Sequence, residues 1–145
     1  MIIFDFFSGT GSSTQAFKDA GHTVITFELD PYFEATEHTD VMLLKASSLV
    51  EKYGQPDFVW ASPPCTSFSV ASIGHHWISG GDSRMKPTDL WGVVPNWTPR
   101  ITCKNGDTCH VSAPRGARTG TQGLKGAKER SRVPYELGKE ILNAL

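Results

Sequence analysis

The stretch that decides the fold is residues 2–28, IIFDFFSGTGSSTQAFKDAGHTVITFE. It opens on a short apolar run, residues 2–6, built of β-branched and aromatic side chains that suit a pleated, buried surface. Small residues and glycines at 8–13 predict a turn. Ser12 or Ser13 can then cap a helix running to Ala20, with Ala16, Phe17 and Ala20 on one face. Gly21 ends that helix, and residues 23–28 return to strand composition. A strand, a helix and a second strand in that order predict a parallel pair, because parallel strands need a crossover between them.

The alternation continues outward. Pro31 is placed to open a short helix toward His38, residues 41–46 read as a third strand or a helical turn, and residues 47–53 as a helix. Residues 54–56 form a turn, and residues 57–61 a fourth strand that runs directly into 62–65, SPPC. The expected fold class is α/β, a mostly parallel sheet with helices on its faces. Ligands of such sheets sit at the carboxyl ends of the strands, and residues 7–11, Glu28 and 62–65 all fall on that rim. Beyond Trp77 the texture changes. Residues 78–132 are rich in Gly, Pro, Thr and basic residues without periodicity, which predicts loops and short hairpins. Pro134 opens a final helix with Leu137, Ile141, Leu142 and Leu145 on one side. No internal repeat is present.

A chain of 145 residues, 39% apolar and 20% charged, has the makings of one globular domain with a real core. No apolar run is long enough to cross a bilayer, and no basic stretch precedes the N-terminal apolar residues, so we expect a cytoplasmic protein. Three cysteines, an odd number, argue against a disulfide framework. The net charge of −1 hides a split. Residues 1–77 hold three Lys and Arg against nine Asp and Glu, and residues 78–145 hold eleven against six. The expected division is therefore an acidic core, 1–77, and a basic, loop-rich region, 78–145. The basic part suits a phosphate backbone; a solvated tail is the alternative.

Three features carry chemistry. In residues 5–11, DFFSGTG, glycines allow positive φ and close approach of a ligand to the backbone, and the following helix presents a positive end. A tight strand–helix turn would need the same glycines. The third glycine of a dinucleotide fingerprint is absent, with Ser12 and Ser13 following Gly11 instead, which argues against a nicotinamide cofactor. Glu28, about twenty residues on, is placed for the hydroxyls of a ribose, and Asp40 either for an adenine amino group or as a simple cap. In residues 62–65, two prolines stiffen the loop and hold Cys65 at a strand end. There its thiolate is placed to attack carbon. Attack at C6 of a cytosine makes C5 nucleophilic toward a sulfonium methyl, which requires the base to be flipped from the duplex.

Residues 5–11, Glu28, Asp40 and 60–69 (WASPPCTSFS) together resemble the cytosine-5 DNA methyltransferases. KPTDLWG (86–92), CKNGDTCH (103–110), APRGARTGTQG (113–123) and RSRVP (130–134) resemble its bacteriophage and prophage branch. The likeness covers two blocks, roughly residues 1–77 and 82–142. It implies a class I, Rossmann-like S-adenosylmethionine-dependent methyltransferase core. It implies that Phe7, Gly9, Thr10, Gly11 and Pro63 line the cofactor, that Glu28 holds the ribose, that Leu29 packs on the adenine and that Asp40 contacts it. Cys65 matches the nucleophile, and residues 66–69 match the loop that closes over the base, with Ser67 and Ser69 toward the substrate. Arg84, Arg115 and Arg118 are the expected DNA contacts, and double-stranded DNA the expected partner.

The chain departs from the family in one respect. A Glu-Asn-Pro or Glu-Asn-Val motif on a fifth strand ordinarily steadies N3 of the cytosine, and here no glutamate precedes an asparagine. The chain passes from GHHWISG (74–80) to GDSRMKPTDLWG (81–92), as if a helix, the fifth strand and the segment after it were missing. Loss of one such electrostatic stabiliser costs about 10²–10³ in rate. A binding protein without turnover is therefore the second expectation. The fourth strand is expected to be an exposed edge, a liability that a second copy of the chain would cover. Cys103, Cys109 and His110, with His75 or His76, are candidates for zinc; free thiols in a loop are the alternative. If zinc is bound, a metal-stabilised DNA-binding module is a third reading.

Overall fold

The computed structural model describes residues 1–63, 93–98 and 132–145. The chain divides into two compact units, Met1–Pro63 with Ser131–Leu145, and Pro64–Arg130. The first is an α/β layer structure. Its strands are β1 (Ile2–Phe6), β2 (Thr23–Glu28), β3 (Glu37–His38) and β4 (Phe58–Ala61); its helices are α1 (Gln15–Asp19), α2 (Ala46–Tyr53) and α3 (Tyr135–Ala144). The sheet order is β3-β2-β1-β4, and every pairing is parallel. β1 therefore lies inside the sheet, with Phe4 opposite Ile25 on one side and Val59 on the other. Among the described residues β3 and β4 are its edges. No described helix is long and apolar enough to cross a membrane.

Alternation along the strands sorts the core onto two faces. Phe4, Phe27 and Leu49 of α2 form a buried cluster, with Ile2, Phe6, Ile25, Leu44 and Tyr53 packed against it. Phe6 and Phe27 stack at 4.8 Å, and Phe4 meets Phe27 edge-on at 5.7 Å. On the opposite face Phe17 of α1 stacks on Phe58 of β4 at 5.6 Å, and Phe58 meets Trp60 edge-on. α3 packs on α1 and on the turn that precedes it. Two ties fix the outer elements. The Ile2 N–H donates to Asp57 Oδ2 at 2.6 Å, and Lys52 and Tyr53 of α2 both donate to Glu37 Oε1 of β3.

The structure departs from the sequence reading in four places. Residues 31–38 are not helical. The Thr36 N–H donates to Thr26 Oγ1 at 2.8 Å, and the Thr26 N–H donates to Thr36 Oγ1 at 3.1 Å. These bonds draw the segment along β2, so the third strand is residues 37–38, and of the two readings of 41–46 the helical turn is the one that holds. Val41–Leu43 is a 3-10 turn capped by Asp40. The helix after β1 begins as a 3-10 turn, Ser12–Thr14, with no side-chain cap from Ser12 or Ser13, and Ala20 is exposed. On α3 the buried positions are Gly138, Ile141 and Ala144. Of the expected apolar positions Ile141 is buried, while Leu137 and Leu142 are half-buried and Leu145 is exposed, because the small residues Gly138 and Ala144 also face the neighbouring elements.

Candidate functional site

The carboxyl ends of β1 and β2 are joined into one rim by a chain of hydrogen bonds. The backbone leaves β1 through positive φ at Phe7 (57°), Gly9 (48°) and Gly11 (68°). Glycine takes this conformation freely, whereas a bulky Phe is strained there by about 1–2 kcal/mol. Strain of this kind survives only where the surroundings over-determine it. Here the Ser8 N–H donates to the Phe27 carbonyl at 3.2 Å and the Gly11 N–H to the Ser8 carbonyl at 2.7 Å. A Cβ built on Gly9 would meet nothing within 4 Å, so the backbone there faces open space.

Two carboxylates organise this turn. Asp5 is fully buried in β1. Its Oδ2 accepts from the hydroxyls of Ser13 at 3.0 Å and Thr14 at 2.7 Å, while Oδ1 and the neighbouring Ser8 Oγ are buried without a hydrogen-bond partner. Burial raises the Asp5 pKa above the ordinary carboxylate value, and the nearby charge of Glu28 adds to this. The Thr14 and Ser13 hydroxyls and the Lys18 ammonium oppose it with smaller effect. Glu28 stands at the end of β2, half-buried. Its Oε2 accepts from the Gly9 N–H at 2.8 Å, and its Oε1 from the N–H groups of Leu29 at 2.9 Å and Asp30 at 3.1 Å. A carboxylate has about four lone-pair sites; three are used here, and the fourth, on Oε2, takes no hydrogen bond among the described residues.

The remaining rim positions are less constrained. Leu29 is 64% exposed, as are Met42 (87%) and Leu43 (77%) nearby in sequence to Asp40. Asp40 Oδ1 accepts from the Met42 N–H at 2.9 Å, which is the capping use of this side chain. On the far side of β1 the Ser62 N–H donates to the Phe6 carbonyl at 3.1 Å, and Trp60 Nε1 donates to Ser62 Oγ at 3.0 Å. These bonds carry the alignment of β4 as far as Ser62, with exposed Pro63 next. Thus Phe7, Gly9, Thr10, Gly11, Glu28 and Leu29 lie at the ends of adjacent strands, Asp40 follows β3, and Pro63 follows β4.

Cys65, Ser67, Ser69, Arg84, Arg115 and Arg118 lie outside the described residues, as do Cys103, Cys109, His110, His75 and His76. Among the described residues no group of three or more His, Cys, Asp or Glu side chains is placed to hold a metal. Sequence reasoning missed the role of Asp5, although an acid inside an apolar run was a visible signal. It also missed the left-handed backbone of Phe7, for which a non-glycine residue offers none. No family model matches the chain, and no curated protein or solved structure matches it.

Proposed function

We propose that this chain is a methyltransferase core that binds S-adenosylmethionine on the β1–β2 rim and transfers its methyl group to C5 of cytosine in double-stranded DNA. The observation that carries the binding half is the bond from the Gly9 N–H to Glu28 Oε2. It places a turn with open backbone at Gly9 beside a carboxylate with acceptor capacity left, which suits a nucleoside whose ribose carries two hydroxyls. Bound there, S-adenosylmethionine supplies an electrophilic methyl on sulfur. The transfer half rests on the sequence SPPC after β4. In this reading the Cys65 thiolate forms a bond to C6 of the flipped cytosine, and C5 takes the methyl group. Loss of the C5 proton to a base then expels the thiolate and restores the ring. Arg84, Arg115 and Arg118 serve as phosphate contacts, and a cytoplasmic setting goes with the substrate.

The absence of any Glu-Asn pair in the chain favours a second reading, in which the same rim binds S-adenosylmethionine and DNA without turnover. The deciding experiment is methyl transfer from labelled S-adenosylmethionine to mixed-sequence duplex DNA, with 5-methylcytosine read by mass spectrometry. We expect product from the wild-type chain, and none from Cys65→Ser, with cofactor affinity unchanged. Product from the Cys65→Ser variant would overturn the nucleophile assignment. A folded wild-type chain that binds cofactor but makes no product would select the binding reading. A second copy covering the β4 edge is the homodimer we propose to test by light scattering at high concentration, where a monomer would count against it.

A further inference from the structure

The 3-10 turn Ser12–Thr14 is held from two directions. From the sheet, Asp5 grips the hydroxyls of Ser13 and Thr14. From the C-terminal segment, the Val133 N–H donates to Ser12 Oγ at 2.9 Å, a bond between residues 121 apart in sequence. Ser12 Oγ also accepts from Thr10 Oγ1 at 3.1 Å, so one oxygen links the glycine turn to the lead-in of α3. Gly138 completes the contact. A Cβ there would stand 2.8 Å from the Ser13 carbonyl oxygen and 3.7 Å from Ala16 Cβ. The Ser13 carbonyl is backbone and cannot swing aside as a flexible side chain would. Glycine is a poor residue for the middle of a helix, and this close approach is its packing reason.

We propose that α3 acts as a clamp on the glycine turn, with Ser12 and Gly138 as positioning residues that keep the Gly9 and Gly11 amides in the conformation a ligand meets. The clamp bears on S-adenosylmethionine affinity only through the reading of this turn as the cofactor site. The clamp itself is testable without that reading. Only glycine lets the helix lie this close to the turn, and only a hydroxyl at residue 12 ties residue 133 to residue 10. Loosening either contact frees the turn while leaving β1, β2 and the Phe4–Phe27–Leu49 cluster in place.

The test is amide hydrogen exchange on the full chain, comparing Gly138→Ala, Ser12→Ala and Ser12→Thr, with Leu142→Ala as a control on the same helix. We expect exchange at the Gly9 and Gly11 amides to rise about tenfold or more in Gly138→Ala and Ser12→Ala. Ser12→Thr keeps the hydroxyl and should restore protection. Leu142→Ala should leave these amides unchanged at a comparable loss of Tm. Wild-type protection in Ser12→Ala, or equal loss in Leu142→Ala, overturns the clamp. If Gly138→Ala does not fold, the two Ser12 variants decide. Calorimetry with S-adenosylmethionine on the same proteins separates the two claims. A wild-type chain that does not bind it removes the cofactor reading, while the exchange result still decides the clamp.

Discussion

The turn after β1 and the turn after β2 are both organised around a carboxylate, yet the two carboxylates stand in opposite surroundings. Asp5 is enclosed, holds two buried hydroxyls and has one oxygen with no partner. Glu28 is half-buried and holds three backbone amides. A buried donor that loses its acceptor has nothing to replace it, whereas an amide at a partly exposed strand end can turn to water. Burial therefore ties the first acid to the stability of the fold, while the second stands where water, or a ligand under the proposed function, can reach it. Neighbours on one rim thus stand in different surroundings, and access to water is what sets the two acids apart.

The sharpest way to break that comparison is Asp5→Ala. It strands the buried Ser13 and Thr14 hydroxyls, and at roughly 1–3 kcal/mol for each unsatisfied buried group the loss should be about 2–6 kcal/mol. Urea unfolding measures it, and a loss below that of an ordinary surface substitution would deny Asp5 its structural role. Glu28→Gln should act the other way. We expect little change in unfolding midpoint but about tenfold weaker S-adenosylmethionine binding, near 1.4 kcal/mol. A large drop in stability with unaltered affinity would make Glu28 the structural acid instead.

The smallest expected effect is on pH dependence, and it sharpens the contrast. The folded-state pKa of Asp5 is raised from its ordinary 3.8, first by burial. The folded protein therefore binds this proton more tightly than the unfolded chain. Its contribution to stability is fully present below pH 3.8 and is lost as pH rises through the raised folded value. Glu37 runs oppositely: its donors Lys52 and Tyr53 lower its pKa, so its contribution is present above the ordinary value and is lost on acidification. Comparing wild type with Asp5→Asn cancels Glu37. The difference in unfolding free energy between the two should move in favour of the variant as pH rises through the Asp5 transition. A difference that is flat with pH would show that Asp5 does not titrate in the folded state over this range.

The strands that make the rim are legible because their signals are local. Residues 2–6 and 23–28 are runs rich in β-branched and aromatic side chains with a glycine turn and a short helical pattern between them, and each is a strand with the expected bounds. The helix at residues 46–53 and the strand ending at Ala61 follow from the same alternation. The segment from Pro31 to His38 defeats the same reading because Pro31 is an equally good first residue for a helix or a turn. A pair of threonines ten residues apart, Thr26 and Thr36, decides it by exchanging side-chain and backbone bonds.

By itself, then, the sequence determined an α/β unit with a glycine turn after its first strand, and it marked Glu28 as a residue at that rim. Period and turn chemistry act over a few residues and can be read one after another. Only the tertiary structure decided that β1 lies between β2 and β4, that Asp5 rather than a serine cap secures the turn, and that a helix whose lead-in lies 121 residues away closes against Ser12 through Gly138. Those outcomes depend on which backbone groups find partners once distant segments pack. A glycine in a helix and an acid in a strand disclose their purpose only when their neighbours are in place.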